Sequence, residues 1–165
     1  MKLSIVNCPD KKRFRPYVKR AAEFYAQELM TDKMLENIFI RIKFKSSKEV
    51  LGYAEIMEYN DSGKPREFEI ELNSRCDGGD ILRTLAHEMV HVKQYVYGET
   101  NESLTRWKGS KVAEGDYWDE PWEIEAYGKE VGLFHKFAVL EKLWEVLEGV
   151  SFPEGEIKKK SIGWK

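Results

Sequence analysis

From Asp80 to Tyr97 the chain reads DILRTLAHEMVHVKQYVY, and no other stretch limits its possible folds so much. Counted at roughly 100° per residue, Ile81, Leu82, Leu85, Met89, Val92 and Val96 fall in one broad stripe. That pattern predicts a helix with one face in a core. His87 and His91 lie on the other side, four residues apart and one above the other, so both imidazoles can address a single metal ion. Glu88 sits one step further round, where it can take a proton from an activated water without being a ligand. It is the candidate general base. Asp80, at the end of the tight loop CDGGD, is placed to cap the helix.

Catalytic zinc sites commonly take three protein ligands and keep one position open. The chain has 3 histidines, and His135 lies deep in a later helical segment beyond Leu133 and Phe134, where it reads as structural. Carboxylates are offered instead by PWEIEAYGKEVG, Pro121 to Gly132, in which Glu123 and Glu125 occupy the first turns of a predicted helix. They flank its apolar stripe on opposite sides at roughly 75° to 85°, so periodicity leaves the choice open. Gly128 and Gly132 share the side of Glu125 and would permit close helix approach, whereas Tyr127 and Glu130 share the side of Glu123. The small side favours Glu125.

TLAHEMVHVKQY resembles the active-site helix of zincin metallopeptidases. IEAYG resembles the gluzincin arrangement, in which the ligand glutamate is often followed by a small residue; Glu125 before Ala126 is the matching position. The order of parts is also similar to SprT-like domains and to small zincin-like proteins of phages. The resemblance covers most of Ile38 to Leu133 and is specific at the HEMVH helix. SprT-like proteins place a third histidine soon after that motif, and none occurs here between His91 and His135.

The resemblance implies a zincin-like α+β fold, Zn²⁺ held by His87, His91 and Glu125, and peptide-bond hydrolysis with Glu88 as base. An oxyanion donor is expected from Tyr117, Tyr127 or His135. The implied partner is a protein or peptide substrate, which the strand Arg66 to Asn73, as a sheet edge, would bind by strand addition. Two rival expectations stand beside this one: a non-catalytic binding protein on the same scaffold, and a nucleic-acid-associated protease of the SprT type.

Around this helix the pattern predicts a small, mostly antiparallel sheet covered by helices on one side. Leu3 to Val6 reads as a short strand, and Arg15 to Met30 as a helix packed through Val18, Ala21, Ala22, Tyr25 and Leu29. Ile38 to Lys45 alternates, with Ile38, Ile40, Ile42 and Phe44 inward. Gly52 to Tyr59 and Arg66 to Asn73 form a hairpin about Asn60 to Pro65; in the second, Phe68, Ile70 and Leu72 face in and Glu67, Glu69 and Glu71 face out. The long polar stretch Glu99 to Glu120, with Trp107, Tyr117 and Trp118, reads as a cleft wall or lid. A helix then runs from Pro121 to about Leu147 with Trp122, Ala126, Leu133, Phe137, Leu140 and Trp144 in its stripe. Residues 1–150 are expected to form a single domain and 151–165 a basic extension.

A chain of 165 residues can bury a real core without staples. Its 27 Lys and Arg nearly balance 29 Asp and Glu, so net charge argues neither for nor against a nucleic-acid partner. The basic cluster from Lys11 to Arg20 reads as a solvated face. Without a signal peptide or membrane span in the sequence, and with Cys8 and Cys76 read as free thiols, a cytoplasmic protein with no membrane partner is expected.

Overall fold

The computed structural model describes residues 1–113 and 115–147. The expected extension 151–165 lies outside the described residues. A four-stranded sheet is built from β1 (Lys2–Val6), β2 (Phe39–Lys45), β3 (Gly52–Tyr59) and β4 (Pro65–Asn73), in the order β1-β2-β4-β3. The helices are α1 (Arg15–Leu29), the single turn α2 (Asp32–Leu35), α3 (Gly78–Tyr97) and α4 (Pro121–Glu141). Among the described residues a fold of mixed α and β elements results, with a small sheet and four helices.

The sheet is mainly parallel, which corrects the antiparallel expectation. β1 pairs with β2 and β2 with β4 in parallel; only β3 and β4 run antiparallel. The hairpin reading was sound locally: Asn60 Oδ1 accepts from the backbone of Ser62 and Lys64, and Gly63 turns with φ 71°. Nothing in the local pattern shows that β4 slots between β2 and β3, with Ile42 opposite Ile70 on one side and Ala54 opposite Ile70 on the other. Both ladder sides of β4 are therefore used, and β4 is not the edge proposed for strand addition. The free edge beside α3 belongs to β3.

Alternation fills the space beneath the helices. Ile40 and Ile42 of β2 and Phe68, Ile70 and Leu72 of β4 are fully buried, as are Val18, Ala21, Ala22 and Tyr25 of α1 and Leu82, Leu85, Met89 and Val92 of α3. Tyr25, buried among them, donates its hydroxyl to the Leu82 carbonyl at 3.2 Å. On the opposite sheet face, Lys43 lies 3.1 Å from Glu69 and Lys45 3.6 Å from Glu71. Glu69 and Glu71 face outward as expected, yet each is only 6% exposed.

Two ends differ from the sequence reading. Asp77 rather than Asp80 caps α3, its Oδ1 accepting the Asp80 backbone N–H at 2.8 Å, and the helix ends at Gly98 with φ 65°. The α4 helix stops at Glu141, where Lys142 turns left-handed at φ 49° and sends Leu143 back into the core. That leaves Leu140 68% and Trp144 38% exposed, off the buried stripe where they were expected. The stretch after Gly98 forms a small hairpin of β5 (Arg106–Trp107) and β6 (Ser110–Lys111), then a 3-10 turn at Tyr117–Asp119. Among the described residues no helix is long and apolar enough to cross a membrane, and Cys8 and Cys76 are free thiols.

Candidate metal centre

The face of α3 opposite its main apolar stripe meets α4. His87 on one helix and Glu123 and Glu130 on the other are buried where they meet, and Glu88, also buried, lies on the side of α3 next to Gly52 of β3. Helical spacing places the Nε2 atoms of His87 and His91 3.1 Å apart. Glu123 completes the group: its Oε2 lies 3.2 Å from His87 Nε2 and its Oε1 3.4 Å from His91 Nε2. Among the described residues, these three offer ligand atoms within 4.8 Å of one another and can hold a metal ion.

The surrounding hydrogen bonds decide what these nitrogens present. Glu130 Oε2 lies 2.9 Å from His87 Nδ1, while its other oxygen accepts from Arg83 Nε and Nη2 at 2.8 and 2.6 Å. Gln94 Oε1 lies 2.9 Å from His91 Nδ1, and the amide is oriented by its own donation to the Trp122 carbonyl and to Glu125 Oε2. Each Nδ1 thus faces an acceptor and carries the proton. In the neutral rings the two Nε2 lone pairs then point at each other and at a carboxylate, an arrangement that requires a cation or an added proton between them. Such partners on the outer nitrogens are what orient histidine ligands in metal sites.

No family model matches this chain, and no curated protein sequence does.

Electrostatics express the same crowding. Burial alone would lower the His87 pKa, but the Glu123 and Glu130 carboxylates outweigh it and hold it at about 9. For His91 burial prevails and pulls the pKa below the ordinary imidazole value. Burial opposes ionisation of Glu123, yet His87, His91 and the Tyr117 hydroxyl together keep its carboxyl below the usual range. Glu88 is pushed up to about 8 by burial, with the negative charge of Glu123 and Glu130 adding to the effect. The Glu88 side chain lines a cleft of about 350 Å³ together with Gly52, Arg83, His87, Tyr117 and Tyr127.

Glu125 is not with the histidines, which corrects its assignment as third ligand. Its carboxylate is held 3.0 Å from Lys93 Nζ and 3.0 Å from Gln94 Nε2, in a separate cluster that also takes in Glu99. Gly128 and Gly132 face open space, so their side of α4 is not the one that α3 approaches: nothing lies within 4 Å of a Cβ built at either position. Helix approach occurs on the other side, through Trp122, Glu123, Ala126, Glu130 and Leu133. The signal was present in the seven-residue spacing of Glu123 and Glu130, two turns apart on one face.

The candidate donors separate as well. Tyr117 donates its hydroxyl to Glu123 Oε2 at 2.7 Å and lies 3.4 Å from the Tyr127 hydroxyl, whose ring packs on His87 at 4.6 Å between centroids. His135 is exposed two turns further along α4 and does not line the cleft. Sequence reasoning missed the roles of Glu130, Arg83 and Gln94 altogether.

Proposed function

We propose that this chain is a zinc-dependent metallopeptidase of the zincin type, with His87, His91 and Glu123 as the ligands and Glu88 as the general base. The observation that carries this reading is the convergence of two Nε2 lone pairs and a carboxylate on one point, with both Nδ1 protons already directed to Glu130 and Gln94. Two imidazoles and a carboxylate suit zinc and leave a position open, as catalytic sites do. A structural site would fill all four positions, usually with Cys or His.

When bound, zinc polarises a scissile carbonyl and brings the pKa of water towards neutrality. The chain's own groups do the rest. Glu88 lines the cleft beside His87. In its ionised form it can take the proton of the attacking water and pass it to the leaving amine. Tyr117, with its hydroxyl beside Glu123, is the donor best placed to stabilise charge developing on the carbonyl oxygen, and Tyr127 supports it from 3.4 Å. Glu130 and Gln94 hold the histidine rings in one orientation and one tautomer. The exposed edge of β3 beside α3 supports binding of an extended protein or peptide segment by strand addition, the role that β4 cannot fill.

Metal analysis of purified protein, run beside hydrolysis of an unfolded protein substrate by wild type and Glu88→Gln, tests this reading. Zinc in both proteins with cleavage by wild type alone is expected. Zinc-loaded wild type that leaves such substrates intact would remove the peptidase reading and favour a binding protein on this scaffold.

A further inference from the structure

The start of β3 runs directly against the active face of α3, and Gly52 is the point of closest approach. A Cβ at residue 52 would lie 2.7 Å from Thr84 Cγ2, 2.9 Å from the Glu71 carbonyl oxygen and 3.3 Å from Glu88 Oε1. Two of these contacts are shorter than packed atoms tolerate, and the third touches the carboxylate that the proposed chemistry needs. Gly52 pairs with Leu72 in the ladder and lines the same cleft as His87 and Glu88. Its φ is not positive, so backbone conformation does not call for glycine here. Space does.

We propose that Gly52 is a positioning residue for Glu88: the missing side chain leaves room for the carboxylate to sit on the cleft side of α3, facing the three ligands. The claim rests on the reading of Glu88 as base and adds a residue on a different element to the machinery. The neighbours explain why the position admits no substitute. Thr84 lies one turn before Glu88 on α3, and Glu71 belongs to the strand paired with β3, so the space at residue 52 is closed from the helix side and the sheet side at once. A methyl group added there is relieved at the Glu71 carbonyl only by a shift of the strand and at Thr84 only by a shift of its methyl, and at 3.3 Å it also presses the Glu88 carboxylate aside. The Thr84 side chain and the Glu88 carboxylate both border the open cleft and can give way into it, and of the two it is the carboxylate whose movement changes the rate. Misplacing a catalytic group by about 1 Å costs up to roughly 10²-fold in rate.

The test uses Gly52→Ala alone and in combination with Thr84→Ser, which removes the methyl at 2.7 Å but leaves Glu88 untouched. For both variants the expected result is unchanged zinc content, KM within about twofold, and kcat lowered by roughly 10- to 100-fold. Thr84→Ser should return part of any lost thermal stability without returning kcat. A crystal structure of the variant should show the Glu88 carboxylate displaced while His87, His91 and Glu123 keep their places. The proposal is overturned by full kcat in Gly52→Ala, by kcat returning with stability in the double variant, or by Glu88 in its native position. If wild type itself cleaves nothing, the peptidase reading fails on its own, and the crystallographic position of Glu88 still decides the role of Gly52.

Discussion

Glu130 Oε2 stands 2.9 Å from His87 Nδ1, and the same carboxylate is gripped through its other oxygen by Arg83. The pair joins the middle of α4 to α3 and leaves Nε2 as the ring nitrogen of His87 that faces Glu123. A ligand held this way binds metal as a pre-set donor. Without the carboxylate the ring can rotate, change tautomer and lose basicity.

Glu130→Gln should therefore keep the fold while lowering zinc affinity by roughly 10- to 100-fold, the usual cost of losing an outer carboxylate partner. Competition against a chromophoric chelator measures it. Affinity equal to wild type would mean that the pair serves only to join the helices.

Metal-free protein should lose stability between pH 6.5 and 8. Glu88 has its folded pKa raised by burial to about 8 from an ordinary 4.5, so the unfolded state gives up its proton first and the folded state becomes less favourable as pH climbs through that interval. His87, held at about 9 against 6.5, acts with the same sign: its stabilisation is complete below 6.5 and is lost as pH rises through 9. Glu123 and Glu130, both shifted down, act only in acid, where their contribution disappears as pH falls below the usual carboxylate range. Thermal unfolding of chelated protein should show Tm falling from pH 6.5 to 8 in wild type and falling less in Glu88→Gln. Equal slopes would show that Glu88 does not titrate in that range.

Much of the scaffold could be read from periodicity, because burial in α3, β2 and β4 follows local spacing closely. Ile81, Leu82, Leu85, Met89 and Val92 were placed in one stripe and are all buried. His87, Glu88 and His91 were identified from a motif whose geometry lies within one helix. What failed depended on contacts between distant segments. The insertion of β4 between β2 and β3 has no local signature, and neither does the side of α4 that meets α3. Glycines at 128 and 132 suggested the wrong side because small residues mark close approach only where something approaches. Glu130 was noted on the side of Glu123, but its meaning required knowing that His87 faces it.

Tyr117→Phe should retain zinc and lower kcat by roughly 10²-fold, the scale of losing one donor to a developing oxyanion. His135→Ala, exposed and away from the cleft, should leave both unchanged. Steady-state kinetics on one unfolded substrate separates them. A Tyr117→Phe variant with wild-type kcat would pass the role to Tyr127.

Glu125→Ala should act on stability. Lys93, with a side chain 11% exposed, would keep Glu99 at 2.6 Å but lose its second carboxylate, and Gln94 would lose one acceptor. A loss of about 1 to 2 kcal/mol is expected in denaturant unfolding. No change at all would mean that the Lys93 cluster is held by Glu99 alone.

The most direct measurement of the central claim is zinc titration of the wild-type chain beside Glu123→Ala and Glu125→Ala. About one zinc per chain should bind tightly to wild type and to Glu125→Ala, while Glu123→Ala, like His87→Ala or His91→Ala, should lose tight binding. Near-zero zinc in wild-type protein never exposed to chelator would contradict the metal centre. Tight binding that survives Glu123→Ala but is lost in Glu125→Ala would contradict the ligand set.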